Sequence, residues 1–282
     1  MKFPSINFLR LFPWAAALSM SFLGLGLVLY GLTGFSLGPD FAGGTLVEIK
    51  TSLSLPQVRR QASQALGHDV VVQNFGASGI FLVKTHVLSP VQQESLKKSW
   101  GHQVEYRRFE SIGPKIGKEM VVGGLWAVTL ALLAVFVYIA SRFHWRFSLC
   151  ASVALIHDCL VLLAIFLLTR TELNEGAFVS LLITAAYSIN DTVVIFDRIR
   201  ENQRKKTFST FAALIQGSIH ETLSRTILTS LTTVLALLVL YVLGGPVISV
   251  FSWPILAGVV VGTYSSLFLA APMLTLFSRG RG

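Results

Sequence analysis

The sequence predicts a membrane α-helical protein: six transmembrane helices with one extracytoplasmic ferredoxin-like α+β domain inserted between the first and second. Three observations carry that class. Hydrophobic residues make up 53% of the 282 positions and charged residues 13%, about half the charged share of soluble domains, and mean hydropathy is +0.66. Apolar runs near the ~20 residues that cross a bilayer recur along the chain. One stretch, residues 33–118, has the mixed polar composition of a folded domain.

Residues 1–11 read as a cytoplasmic N-terminus and 12–32 as the first span. That run exceeds the ~7–15 apolar residues of a signal-peptide core, and no small-x-small cleavage site follows Tyr30, so a retained helix is expected. Within 33–118, Thr45 to Lys50 alternates as a strand, and Pro56 to Leu66 reads as a helix with proline in its first turn and Gly67 as its stop. Asp69 to Phe75 and Ile80 to Val87 make two strands joined by Gly76-Ala77-Ser78-Gly79, a hairpin signal. Ser89 and Pro90 open a second helix running to Trp100-Gly101, and Gln103 to Phe109 closes the domain as a strand. The order β-α-β-β-α-β is the ferredoxin-like one. Gly43 and Gly44 mark one end of the domain and Gly113, Pro114 and Gly117 the other; they read as hinges or as linker turns.

Five further spans are expected at 119–140, 147–169, 177–197, 226–243 and 247–277, with 278–282 as a cytoplasmic C-terminus. The last span is over-long, holds Pro254, and carries Gly258-Val259-Val260-Val261-Gly262, a close-packing spacing that is common by chance in apolar helices. Residues 198–225 combine a basic cluster with Phe208, Phe211, Ala212, Ile215 and Ile219 at helical spacing, which reads as an amphipathic segment on the cytoplasmic membrane surface. Lys2, Arg10, Arg142, Arg146, Arg198, Arg200, Arg204, Lys205, Lys206, Arg225, Arg279 and Arg281 fall at alternate exits, which places both termini in the cytoplasm and the 33–118 domain outside. Topology therefore accounts for the net charge of +9, and no nucleic-acid partner is expected. Cys150 and Cys159 are too far apart along one helix to form a bridge.

Thr184, Tyr187, Ser188 and Asp191 share one face of the fourth span. A carboxylate at membrane depth costs several kcal/mol unless it is neutralised, hydrated or paired, so such a residue marks a functional site. Asp191 is the leading proton-coupling candidate, with Tyr187, Ser188 and Asn190 around it. Arg225, at the start of the fifth span, is its expected counter-charge, with snorkelling to the interface as the alternative. His157, Asp158, Asp197, Thr229 and Thr233 are supporting polar groups. The sequence has no phosphate loop, His-Glu-x-x-His zinc motif or Gly-x-Ser-x-Gly elbow, so neither cofactor nor metal is expected. An aspartyl-protease reading would need Gly-x-Gly-Asp, whereas Asp191 follows Ser188-Ile189-Asn190.

The segment from Tyr187 to Asn202 resembles the signature of the SecF-type protein-export membrane subunits, part of the SecD/SecF family and the resistance-nodulation-division superfamily. Matching residues extend along the chain: Asp40-Phe41-Ala42-Gly43-Gly44-Thr45, Gly113-Pro114 with Gly117, His157-Asp158, Ser224-Arg225-Thr226, and Thr229-Ser230-Leu231-Thr232-Thr233. Ala186 departs from the glycine usual in the family before the tyrosine. The resemblance implies a half-transporter in the bacterial inner membrane that pairs with a SecD subunit. It also implies work with the SecYEG channel and the SecA motor, using the proton gradient to draw unfolded preprotein outward. Asp191 would carry the proton, Arg225 would be its switching partner, and the glycine junctions would relay helix motion. The competing expectations are a half-transporter of the same superfamily that exports small molecules or lipids, and a static assembly scaffold. None of these is an enzyme.

Overall fold

The structure is a computed structural model that describes residues 6–75 and 79–277, the side chains of 246 and 247 excepted. Lys2, Arg279 and Arg281, the Gly76-Ala77-Ser78 part of the hairpin, and the 278–282 segment lie outside the described residues. Helix α1 (Phe8–Thr33) starts where the Asn7 side chain accepts the backbone N–H of Arg10 at 3.0 Å. After a one-turn α2 (Pro39–Ala42) come β1 (Gly44–Thr51), α3 (Leu55–Leu66), β2 (Val71–Asn74), β3 (Ile80–Thr85), α4 (Pro90–Trp100) and β4 (Val104–Ile112).

Local chemistry sets these bounds. Gly67 ends α3 in the left-handed conformation at φ 75°. At the start of α4, Ser89 Oγ accepts the Gln92 N–H at 3.4 Å while Gln92 Oε1 accepts the Ser89 N–H at 3.0 Å, a reciprocal cap readable as Ser-x-x-Gln. The strands form one antiparallel sheet in the order β2-β3-β1-β4. Alternation turns Val47, Ile49, Phe81 and Val83 toward α3 and α4, where they pack with Val58, Ala62, Leu96 and Trp100. Each such buried aliphatic or aromatic side chain contributes roughly 1.5–3 kcal/mol.

The remaining chain forms α5 (Pro114–Arg142), α6 (Trp145–Thr169), α7 (Glu175–Lys205), α8 (Phe211–Leu243) and α9 (Gly245–Ser265), which continues through a π-helical turn at Ser266–Ala270 to Phe277. With α1, these give six helices long and apolar enough to cross a membrane. Helices α6, α7 and α9 pack against one another at the centre of the bundle. Helix α5 and the second half of α8 leave most of their apolar side chains uncovered; Trp126 is 61% and Leu243 78% exposed.

The sheet domain sits at the end of the bundle where α1 ends and α7 begins. There the N–H of Gly38 donates to Leu173 O and the N–H of Leu173 donates to Ser36 O, each at 2.7 Å. Lys84 on β3 also meets Glu172 at 2.7 Å. Basic residues gather at the opposite end, where Arg200 donates to Arg142 O and Arg146 to Phe277 O, both at 3.3 Å.

The 198–225 segment differs from the sequence expectation. Helix α7 runs on to Lys205, and α8 starts at Phe211 and continues unbroken into the fifth span. Residues 211–225 are thus not a separate surface helix. Leu214, Ile215, Ile219 and Leu223 are buried in one cluster with Phe8, Ile195, Phe196 and Ile199. Of the apolar stripe that suggested a lipid-facing surface, Ile215 and Ile219 belong to the interior of the bundle and Phe208 and Phe211 pack against it, while Ala212 is exposed.

Candidate functional site: a buried polar cluster in the helix bundle

The polar stripe of α7 is shared among three neighbouring helices. On the α8 side, the Tyr187 hydroxyl bonds to the Thr233 hydroxyl. Asp191 Oδ2 accepts from Ser230 Oγ at 3.4 Å, and Ser230 in turn meets Thr263 Oγ1 at 2.7 Å. On the α6 and α9 side, Thr184 donates to Ser180 O at 2.7 Å, Ser188 donates to Asp158, and Ser266 donates to Ser188 O at 3.1 Å. The Gly258 and Gly262 spacing brings α9 this close. A Cβ at Gly258 would overlap the Thr184 hydroxyl, and one at Gly262 would lie 3.0 Å from Ser188 Cβ. Small residues allow such backbone approach inside membranes.

Asp158 lies at the centre of this contact and is fully buried. Its Oδ1 lies 2.9 Å from His157 Nδ1, while Oδ2 accepts from both Ser188 and Ser265, the latter at 2.6 Å. One carboxyl thus ties α6 to α7 and α9. Ser265 and Ser266 border the π-helical turn, which is followed by Pro272, a residue with no N–H to offer the Phe268 carbonyl. The sequence reading passed over Thr263, Ser265 and Ser266. Their signal was a run of hydroxyls directly after the glycine pair and before a proline.

Asp191 is the other buried carboxyl of this cluster, 3% exposed against 0% for Asp158. Its long bond from Ser230 is its one side-chain hydrogen bond among the described residues. Arg225 lies near enough for its charge to act on Asp191 but is not paired with it: Arg225 is exposed, and no salt bridge among the described residues joins the two. Asn190 is also exposed, on the side of α7 away from α6 and α9. Thr229 donates to the Arg225 and Thr226 carbonyls, each at 3.0 Å. Asp197 pairs with Arg200 at 2.8 Å at the end of α7. Cys150 and Cys159 are buried free thiols.

The glycine junctions lie against each other below the sheet. Gly43 adopts φ 76°, and a Cβ there would come within 2.9 Å of Pro114 Cα; at Gly117 it would come within 2.5 Å of Phe41 O. Gly44 lies similarly against Thr85 O, whereas Gly113 has open space. The Phe41 ring packs on Phe178 of α7 with centroids 5.3 Å apart. The neighbouring Asp40 carboxyl is pushed above its ordinary value by burial and then by Glu110, with Lys84 and Arg108 opposing.

The fold and cluster define a polytopic helical membrane protein with carboxyl groups buried among hydroxyls at its centre and a sheet domain docked on one end. A family model described as "Protein export membrane protein SecD/SecF, C-terminal" matches residues 92–280. The protein translocase subunit SecF of Rickettsia akari is 38% identical over 88% of this chain and 84% of its own length. That of Desulfurispirillum indicum is 36% identical over 97% and 92%. The crystal structure of SecDF, a translocon-associated membrane protein from Thermus thermophilus, superposes with a TM-score of 0.86 at 32% identity, covering 99% of this chain. This chain spans 39% of that SecDF chain. The chain belongs to the SecD/SecF family of protein export membrane proteins.

Proposed function

We propose that this chain is a proton-motive-force-coupled accessory subunit of Sec protein translocation, acting in the bacterial inner membrane with a SecD subunit. In this reading both termini are cytoplasmic, and the sheet domain, ferredoxin-like in its strand order, is extracytoplasmic. It works beside the SecYEG channel and the SecA motor, and it handles unfolded preprotein without catalysing a reaction. The observation that carries the reading is Asp191: a carboxyl buried in the helix bundle, bonded by the Ser230 hydroxyl, with no cation bonded to it among the described residues. An acid buried at this depth with no cation in direct contact suits a group that gains and loses a proton.

Arg225 precedes Ser230 on α8 by little more than one turn. A shift of α7 against α8 would bring it to ionised Asp191, and protonation would release it. The junction glycines would pass that motion to the sheet domain through α2 and the start of α5. SecD would cover the exposed side of α7 and α8, where Asn190 and Arg225 stand among apolar residues. The naming of relatives as translocase subunits favours export of protein over export of small molecules or lipids.

Asp191→Asn in cells depleted of the native subunit tests the reading. Export is expected to fail while the variant remains assembled with its partner at normal abundance. Unimpaired export would overturn the mechanism, and loss of assembly alone would indicate a scaffold.

A further inference from the structure

We propose that His157 and Asp158 form a second proton-binding centre, separate from Asp191 and loaded through His157 Nε2. The inference rests on the reading above only in assuming that protons reach the interior of the bundle. Its basis is the way the hydrogen-bond partners divide. Both serine donors, Ser188 and Ser265, occupy Oδ2 of Asp158, while Oδ1 faces His157 Nδ1 at 2.9 Å. A proton can therefore be added on the Oδ1 side without releasing either serine, so the tie between α6, α7 and α9 survives loading.

His157 Nε2 is buried and has no hydrogen-bond partner among the described residues. Neither tautomer of the ring alone satisfies both nitrogens: with Nδ1–H donating to the carboxylate, Nε2 is an orphan acceptor, and with Nε2–H it is an orphan donor. With Nδ1–H donated to the carboxylate, the bare Nε2 lone pair is the position at which an arriving proton binds. A proton binds Nε2 and the Nδ1 proton moves to Asp158 Oδ1. The imidazole ends neutral in its other tautomer, and the carboxylate ends as a neutral acid. Charge balances, with one proton added and one negative charge removed.

Other ionisable groups do not replace these two. On α6 itself the neighbour is the Cys159 thiol. Helix α7 brings Tyr187, already bonded to Thr233, and Asp191, three residues beyond Ser188. The last span brings Tyr264, which donates to Ala15 O at 2.8 Å. The remaining charged groups of α1, α5 and α7 lie in their end turns: Arg10 on α1; Lys115, Lys118, Glu119 and Arg142 on α5; Glu175 and the Asp197 to Lys205 cluster on α7.

Infrared difference spectroscopy of the chain with its partner subunit in lipid vesicles, recorded across pH, reads protonated carboxyl groups directly. The expected result is a carboxylic-acid carbonyl band that grows as pH falls, is lost in Asp158→Asn, and is displaced in His157→Gln, which keeps the carboxyl and both serines. A pH-dependent carboxyl spectrum unchanged in Asp158→Asn, or unchanged in His157→Gln, would overturn the proposal. The Asp191 reading stands or falls separately, on whether a different band disappears in Asp191→Asn.

Discussion

Alanine in place of Gly117 tests whether the junction below the sheet is a packed joint. The added Cβ would stand 2.5 Å from the Phe41 carbonyl oxygen and 2.9 Å from that of Asp40, against roughly 3.3–3.6 Å for even a favourable C···O contact. Both obstacles are backbone, so no rotamer change relieves them, and α2 must shift away from α5. Overpacking of this kind costs about 1–3 kcal/mol, which multiplies the undocked population about 5–150-fold. The amides of Gly38 and Leu173, which bridge the segment after α1 to the loop before α7, report that population through hydrogen exchange. Their protection is expected to fall by that factor in Gly117→Ala and to stay unchanged in Gly113→Ala, where nothing lies within 4 Å of the added carbon. Equal protection in native protein and Gly117→Ala would refute the packed joint, and so would an equal loss in the Gly113 control.

Three further outcomes follow from the same geometry. Gly258→Ala should lower the thermal stability of the detergent-solubilised protein, by ~1–3 kcal/mol of overpacking. Because the nearest obstacle there is the Thr184 hydroxyl, with the Thr184 Cβ at 2.9 Å behind it, adding Thr184→Ala should restore part of the loss, and failure to restore any would place the strain elsewhere. A double-mutant cycle with Lys84→Met and Glu172→Gln should give a coupling of about 0.5–1 kcal/mol that shrinks at high salt, since the pair, 2.7 Å apart, is partly exposed. Asp40 supplies a pH dependence. Burial raises its folded value, so the folded chain holds the proton more tightly than the unfolded one. The cost of ionising it is absent below the unfolded carboxylate value and accrues as pH rises through the interval up to the folded value. Acidification toward that range should stabilise the docked domain, and Asp40→Asn should remove this dependence; a native-like pH profile in the variant would contradict the assignment.

Much of the fold is legible because the strongest signals are local. Pro56 in the first turn of one helix, Ser89 and Pro90 opening the other, Gly67 as a stop, and period-two alternation in Val47 and Ile49 mark their elements without reference to the rest of the chain. The apolar runs do the same for the spans, because length and composition alone are read. Residues 211–225 were harder. An apolar stripe beside charges has the same spacing whether it faces lipid or protein, and only the tertiary contact with Ile195 and Ile199 distinguishes the two. The candidate site divides in the same way. The hydroxyl stripe of α7 is visible in spacing, and the need for polar neighbours follows from the cost of burial. Which neighbours serve depends on helices distant in sequence. Arg225 was the expected partner on charge alone, whereas the structure gives Asp191 a serine and places the best-bonded carboxyl at Asp158, held by Ser265 from the far end of the chain.

The central claim is that a proton on Asp191 couples the membrane gradient to movement of exported chains. Its most direct test is preprotein transport into vesicles containing this chain, its SecD partner and the translocation channel, measured with and without an imposed proton gradient. Native protein is predicted to accelerate when the gradient is applied, Asp191→Glu to retain part of that response, and Asp191→Asn to lose it while its gradient-free rate persists. A gradient response in Asp191→Asn equal to the native one would contradict the claim.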